Sequence, residues 1–440
     1  MRVFVQRLGC PKNDVDAEYI ASRLAHDGHE LVTSPEFAEA VIVNTCGFIL
    51  PAREESINEI LRLGQLKKGG VLRRLYATGC LTQKHGDELL DGMPELDGAF
   101  GHGALDSLAD AVGAEAKLTK TVKMETRKLG YLSWKDRFLF DNLPYSYLKI
   151  SDGCDRACTY CTIPSMRGRF RSRPLESIIR EAEFLAANGK KELILVSQEA
   201  TMWGYGLEEQ SDVIALLEAL DKVCGIQWIR LMYLHPAALN ERLIEYMADC
   251  GNKTLPYFDL PLQHVNDDIL MRMHRVVNKN RIESLLSRIR TAAPDATVRT
   301  TFIVGFPGET EAMFDELMAF VSKWQFERLG VFPYSVEEGT PSETMDGQVP
   351  ERVKSERVDA IMSLQSELVF ARNERLVGKT VDVMIDSLTA EGAVGRTQAD
   401  CPDIDQEVHL AGKPTSVGSI CRVRIDSAEG YDLRGTLIEE

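Results

Sequence analysis

Tyr147-Leu-Lys-Ile-Ser-Asp-Gly-Cys154-Asp-Arg-Ala-Cys158-Thr-Tyr160-Cys161 runs an apolar strand candidate, Tyr147–Ile150, directly into three cysteines. Three thiolates at C-x3-C-x2-C spacing can wrap one face of an iron–sulfur cube and leave its fourth iron without a protein ligand. That iron can bind a substrate or cofactor directly. Rival chemistries fit less well. Covalent haem needs C-x-x-C-H, but Thr162 follows Cys161, and a zinc knuckle needs a fourth ligand that is not nearby. Cysteines that merely pack in a core do not cluster in this way.

Outward from this segment the chain alternates strand and helix. Further strand candidates are Leu193–Val196, Ile229–Tyr233, Tyr257–Leu260, Val298–Val304 and Leu329–Phe332. Helical stretches, for example Leu175–Asn188, Val213–Val223 and Asn280–Ala292, lie between them. Strands joined by right-handed crossovers imply a partial β/α (TIM-like) barrel, with its chemistry beyond the C-terminal strand ends. Residues 1–116 alternate too, with strands at Val3–Val5, Ala40–Val43 and Val71–Thr78 and helices at Asp14–His26 and Ile57–Leu66. A parallel α/β domain is expected there. Lys117–Arg137 carries seven Lys/Arg against two acids and reads as a linker, taken as 117–144. The barrel block is placed at 145–371, ending in a long helix, Glu351–Arg375. The remainder, 372–440, shows short strands at Thr380–Ile385, Ala393–Arg396, Glu407–Leu410 and Ile420–Ile425, a small β-barrel expected to dock near the open mouth of the larger one.

Composition bounds the function. The 440 residues include 44% hydrophobic and 27% charged side chains, a globular balance, and no apolar run approaches membrane-spanning length. A cytoplasmic protein is expected. Fifty-one Lys+Arg against 67 Asp+Glu give a net charge of −16, which disfavours phosphate-dominated nucleic-acid binding and suits a cationic partner. Ten cysteines in a reducing compartment point to metal or redox chemistry rather than disulfides.

Cys10, Cys46 and Cys80 form a dispersed second set, each following a strand candidate and flanked by glycine. Three parallel strands ending together would bring them to one sheet edge; taken alone, they are equally compatible with structural roles. Cys224, Cys250, Cys401 and Cys421 match no motif and read as packing residues.

With Tyr160 at the aromatic position of C-x3-C-x-aromatic-C, the first segment resembles the radical S-adenosylmethionine (SAM) enzymes. The resemblance implies a 4Fe–4S cluster on Cys154, Cys158 and Cys161 that chelates S-adenosylmethionine and cleaves it to a hydrogen-abstracting radical. It also implies cofactor contacts at Tyr160 and Gly305. Gly9-Cys10-Pro-Lys-Asn13-Asp-Val-Asp16-Ala-Glu18, Asn44-Thr45-Cys46 and Thr78-Gly79-Cys80 are similar to the N-terminal domain of the methylthiotransferases, and the likeness continues into a TRAM-like C-terminal module. It implies a second 4Fe–4S cluster on Cys10, Cys46 and Cys80, conversion of C–H to C–S–CH3, and a reductant such as flavodoxin or ferredoxin.

Other features carry two readings each. Val304-Gly305-Phe-Pro-Gly308-Glu-Thr310 is a cofactor contact or a tight strand-to-helix turn. Ser197-Gln198-Glu199 ends a barrel strand, where the family contacts the methionine end of the cofactor. His264 is a pocket-lining candidate. Arg167, Arg169, Arg171 and Arg173, if extended, share one face and meet an anion, or are a solvated loop.

The family modifies either a tRNA adenosine or an aspartate of the small-subunit ribosomal protein S-twelve. Glu374–Glu440 holds 13 Asp/Glu and 7 Lys/Arg, and an acidic module favours a basic ribosomal protein over nucleic acid. Asp400, Asp403 and Asp405 read as a solvated loop available for that attraction. Leu8-Gly-Cys-Pro-Lys-Asn13 and Ile163-Pro-Ser-Met-Arg-Gly168 also resemble the protein-modifying branch. The alternatives are tRNA methylthiolation and a non-catalytic iron–sulfur electron carrier.

Overall fold

Val41 and Val43 face one way along their strand and Ile42 the other, and all three are fully buried. A strand apolar on both faces belongs in the middle of a parallel sheet covered by helices on both sides. The computed structural model, which describes residues 1–114, 121–124, 137–412 and 416–438, places it there. In chain order come β1 (Arg2–Arg7), α1 (Pro11–His26), β2 (Glu30–Leu31), β3 (Ala40–Thr45), α2 (Leu50–Lys68), β4 (Arg74–Gly79), α3 (Cys80–Gly92), β5 (Gly98–Phe100), α4 (Leu105–Gly113) and β6 (Thr121–Lys123). The strands form one parallel sheet in the order β2-β1-β3-β4-β5-β6. Ile20, Leu24, Leu108 and Val112 of α1 and α4 pack on the face of Ile42. Ile60, Leu63, Leu81 and Leu89 of α2 and α3 pack on the face of Val41 and Val43. Strand β6 lies inside the stretch expected as a linker and extends the sheet; most of that stretch lies outside the described residues.

The described residues divide into two compact units. The first is Met1–Asp141 with Asp152–Asp155 and Cys161–Arg171; the second is Asn142–Ser151, Arg156–Tyr160 and Ser172–Glu440. After the first sheet come β7 (Tyr145–Lys149), β8 (Ser151–Asp152), α5 (Ile163–Arg167), β9 (Arg171–Ser172), α6 (Leu175–Ala187), β10 (Glu192–Val196), α7 (Val213–Asp221), β11 (Trp228–Leu231), α8 (Glu241–Ala248) and β12 (Tyr257–Gln263). These are followed by α9 (Asp267–Arg272), α10 (Lys279–Ala292), β13 (Thr297–Val304), α11 (Glu311–Trp324), β14 (Arg328–Pro333) and α12 (Glu351–Glu374). Strands β7, β10 and β11 make one parallel sheet and β12, β13 and β14 a second, with a parallel bridge from Ile229 to Thr254 between them. This is the expected partial β/α barrel.

Residues from Thr380 onward form β15 (Thr380–Leu388), β16 (Gly392–Thr397), β17 (Val408–Ala411), β18 (Ile420–Glu429) and β19 (Asp432–Leu437), closed in the order β15-β16-β17-β19-β18. Strand β19, in Asp432-Leu-Arg-Gly-Thr-Leu437, was not expected; too few apolar residues mark it.

The location of this small barrel overturns the expectation. It does not dock at the mouth of the larger barrel, where the strands end. It closes the floor, where they begin. The first three residues of all six large-barrel strands supply partners. Tyr145 and Tyr147 donate hydroxyl hydrogen bonds to Asp403 (3.1 Å each), and Tyr257 donates to Asp405 (2.6 Å). Arg396 bonds Glu192 (2.8 Å), Arg230 bonds the Gln398 carbonyl (3.0 Å), and Arg328 Nε bonds Asp400 (3.1 Å). Arg299 lies 3.7 Å from Asp405. The Asp400 and Asp405 side chains are buried, so they are not the solvated charges inferred from composition. Each charge here is matched because an unmatched one, out of water, is strongly destabilising.

Asp400→Ala should therefore lower stability by ~3–5 kcal/mol by removing the buried carboxylate that Arg328 and Thr397 bond. Removing the exposed Glu391 charge as Glu391→Gln should change it by about 0.5 kcal/mol or less. Urea denaturation of the two variants checks this, and equal effects would contradict the buried role.

Candidate functional site

Strands β1, β3 and β4 are neighbours, and Arg7, Asn44 and Thr78 stand level in their register. Cys10, Cys46 and Cys80 follow within two or three residues of that level, so all three thiols leave the sheet at its C-terminal edge. Gly9 makes this possible. Its φ is +91°, and a Cβ there would stand 2.6 Å from Cys46 Cβ and 2.8 Å from Cys46 Sγ. Asn13 then ties the loops together. Its Nδ2 donates to the carbonyls of Leu8 and Thr45 (3.0 Å each), and its own carbonyl accepts from Asn44 (2.7 Å). Cys80 Sγ lies 3.7 Å from Asn13 Oδ1. Behind Cys46, Ser56 Oγ accepts from its backbone N–H (3.0 Å), and Thr45 Oγ1 donates to the Thr78 carbonyl (2.6 Å).

Burial pushes the Cys46 thiol up to about 11, and burial likewise raises Cys80, although Arg167 opposes it there. Such thiols ionise when a metal takes the place of the proton. Among the described residues no three His, Cys, Asp or Glu side chains converge on a single-ion geometry. An iron–sulfur cube takes one thiolate on each of several irons, and three thiols at one sheet edge supply donors of that kind. The donor set fits that group.

Cys154, Cys158 and Cys161 are half-buried on the irregular segment after β8. Within the second unit, residues 156–160 are held against segments that follow the barrel strands. Arg156 makes a two-pronged ion pair with Glu199 (2.7 and 2.6 Å), just past β10. Thr159 donates from its backbone to the Met273 carbonyl (3.1 Å) and from Oγ1 to the Arg272 carbonyl (2.8 Å). Arg275 donates to Cys158 Sγ (3.7 Å), and the Tyr160 ring meets Phe306 edge-on at 6.3 Å. Tyr233, Gln263 and His274 lie near these strand ends with φ of +62°, +72° and +55°. Non-glycine residues in that region store strain and gather at functional sites.

Several expectations are corrected. The four arginines do not share a face. Arg167 ends helix α5 and is buried, Arg169 is 93% exposed, and Arg173 is buried against Glu181 and Ser177. His264 does not reach the surface. It is fully buried and its Nδ1 accepts from the Asn266 N–H (3.0 Å). Gly305 is buried, with φ +71° and its N–H bonded to Glu309; a Cβ there would stand 2.3 Å from Lys354 Cγ. The missing side chain makes room for Lys354 of α12. Glu199 serves the cysteine loop through Arg156. Asn13, Arg156, Arg167 and Arg275 received no individual site role from sequence. Asn13 and Arg167 stand inside quoted motifs, and their role emerges only once partners far along the chain are placed.

Comparison with known proteins gives the family. The profile of the Radical SAM superfamily matches residues 148–321, Uncharacterized protein family UPF0004 matches 2–101, and the TRAM domain matches 377–438. The ribosomal protein uS12 methylthiotransferase RimO of Thermosipho africanus is 41% identical over 440 residues, covering all of both chains. That of Geobacter sulfurreducens is 41% identical, covering 99% of this chain and 98% of its own. Among solved structures, the radical S-adenosylmethionine methyltransferase TsrM from Kitasatospora setae matches with a TM-score of 0.51 at 14% identity. It covers 82% of this chain and 84% of its own, a likeness of fold alone.

Beneath the Gly305 turn lies a buried carboxyl, Glu309, 3.2 Å from Arg357 and 4.0 Å from His264 Nε2. Burial raises it to about 7, against the opposing pull of Arg357 and two backbone N–H groups. Folding therefore takes up a proton at Glu309 between the unfolded value of ~4.3 and about 7. Stability falls as pH rises through that window and levels off above it. The fall, on the order of 3 kcal/mol, should be present in wild type and absent from Glu309→Gln. Urea midpoints at acidic and neutral pH measure it, and parallel pH profiles for the two proteins would refute the assignment.

Proposed function

The chain belongs to the family of ribosomal protein uS12 methylthiotransferases, and from that premise we propose that it converts a C–H bond of a uS12 aspartate to C–S–CH3. In this reading Cys10, Cys46 and Cys80 hold one 4Fe–4S cluster and Cys154, Cys158 and Cys161 the other. The observation that carries it is the convergence of the first three thiols at one edge of a parallel sheet, in a chain that also bears C-x3-C-x2-C. When bound, the clusters and S-adenosylmethionine supply the radical, the sulfur and the methyl group.

The protein's own part is placement. Arg156, Glu199 and Thr159 fix the middle of the second cysteine segment, and Arg275 offers a charged donor to Cys158 Sγ. Tyr160, against Phe306 beside Gly305, supplies an aromatic wall for the cofactor. Asn13 and Gly9 fix the first triplet. Electrons come from a small carrier such as flavodoxin or ferredoxin, and the reaction belongs to the cytoplasm. No helix among the described residues is long and apolar enough to cross a membrane.

The protein substrate is favoured by full-length relatives rather than by the charge of the C-terminal barrel, since Asp400 and Asp405 are engaged internally. Mass spectrometry of uS12 and of tRNA from cells lacking this protein tests the choice. The methylthio group should disappear from uS12 and persist on tRNA; the reverse would assign the tRNA branch.

Replacing Cys154, Cys158 and Cys161 by Ala should leave about half the iron and abolish S-adenosylmethionine cleavage. Replacing Cys10, Cys46 and Cys80 should also halve the iron but spare cleavage while abolishing sulfur insertion. Full methylthiolation by the second variant would exclude the N-terminal cluster.

A further inference from the structure

Arg167 follows Cys161 by six residues, within the stretch matched by the Radical SAM superfamily, yet its side chain serves the N-terminal thiols. It ends the short helix α5 and is buried. Three guanidinium nitrogens have separate partners. Nη1 meets Asp16 Oδ2 (2.6 Å), Nη2 donates to Asn13 Oδ1 (2.5 Å), and Nε donates to Cys80 Sγ (3.3 Å). Asp16 and Asn13 sit on α1, which begins after Cys10, and Cys80 opens α3. One planar cation thus spans two of the three thiol-bearing loops and touches one of the sulfurs.

We propose that Arg167 is a positioning residue for the N-terminal iron–sulfur cluster, holding Cys80 Sγ in place and setting the cluster's reduction potential by a charged hydrogen bond to that sulfur. The inference rests on reading Cys10, Cys46 and Cys80 as cluster ligands. A purely structural ion pair would need only Asp16. Here the third nitrogen is directed at sulfur, and hydrogen bonds and net charge at the sulfurs are what tune such clusters. Only arginine presents fixed donors in three directions; lysine offers the charge without the fork. A nearby cation favours the more negative, reduced cluster, so its loss makes reduction harder.

The test is a redox titration of the anaerobically reconstituted full-length protein, followed by electron paramagnetic resonance. The N-terminal signal is assigned by its absence from the Cys10→Ala, Cys46→Ala, Cys80→Ala variant; if that variant keeps full iron, the ligand reading and this inference fall together. With the signal assigned, Arg167→Gln should move the N-terminal midpoint to more negative potential and the other cluster's midpoint by less. Methylthiolation should fall at least about ten-fold. Arg167→Lys should hold full iron with a smaller midpoint shift and an altered line shape. If Arg167→Gln binds full iron with an unchanged midpoint, the proposal is wrong. Should Arg167→Gln fail to fold, Arg167→Lys decides, and a wild-type midpoint and spectrum from it would overturn the role.

Discussion

In a parallel sheet every strand ends on the same side. That constraint organises each unit of this protein. In the first sheet it delivers Cys10, Cys46 and Cys80 to a single edge, although they are separated by 36 and 34 residues in sequence. In the partial barrel it places Glu199, Gln263 and Gly305 at the end where Arg156, Thr159 and Tyr160 are anchored. Neither arrangement requires long-range specificity at the outset. Each follows from strand–helix alternation and the right-handed crossover.

What topology delivers only approximately, buried polar groups complete. Asn13 uses both ends of its amide and its own carbonyl to tie three loops, a density of bonding that leaves the thiol-bearing segments little freedom. Glu199 does the same for the second cysteine segment through Arg156. Such groups are costly to bury unless fully paired, so their pairing also fixes the local geometry.

The cysteines and the α/β alternation were legible in sequence because each is a local pattern. The barrel strands fall within two or three residues of their expected positions, and Glu351–Glu374 is the expected long helix. Side-chain destinations were not legible. Alternation in Arg167-Gly-Arg-Phe-Arg-Ser-Arg173 suggested one extended face, but Ile163-Pro164 starts a helix that carries Arg167 away from the others. Asp400 and Asp405 looked solvated because a charge count does not reveal Arg299 and Arg328, more than seventy residues earlier in the chain. Nothing local in Val304-Gly305-Phe306 announced that the space beside Gly305 is filled by Lys354, some fifty residues later.

The floor of the large barrel also has a bearing on the order in which the chain can fold. The first sheet is built from residues near the N-terminus, all available early in synthesis, and such a unit can form while the rest is still being made. The six-stranded barrel is different. Its floor residues pair partly among themselves, Glu192 with Arg230 (2.8 Å) and Arg299 with Asp259 (3.2 Å), but Arg328 draws its carboxylates, and Glu192 its second arginine, from residues 396–405. Until those have left the ribosome, the base of the barrel lacks the carboxylates that meet Arg328 and the arginine that completes the Glu192 pairing. Its completion is thereby deferred almost to the end of translation, and a stalled or truncated chain would expose that incomplete base as the mark of an unfinished molecule.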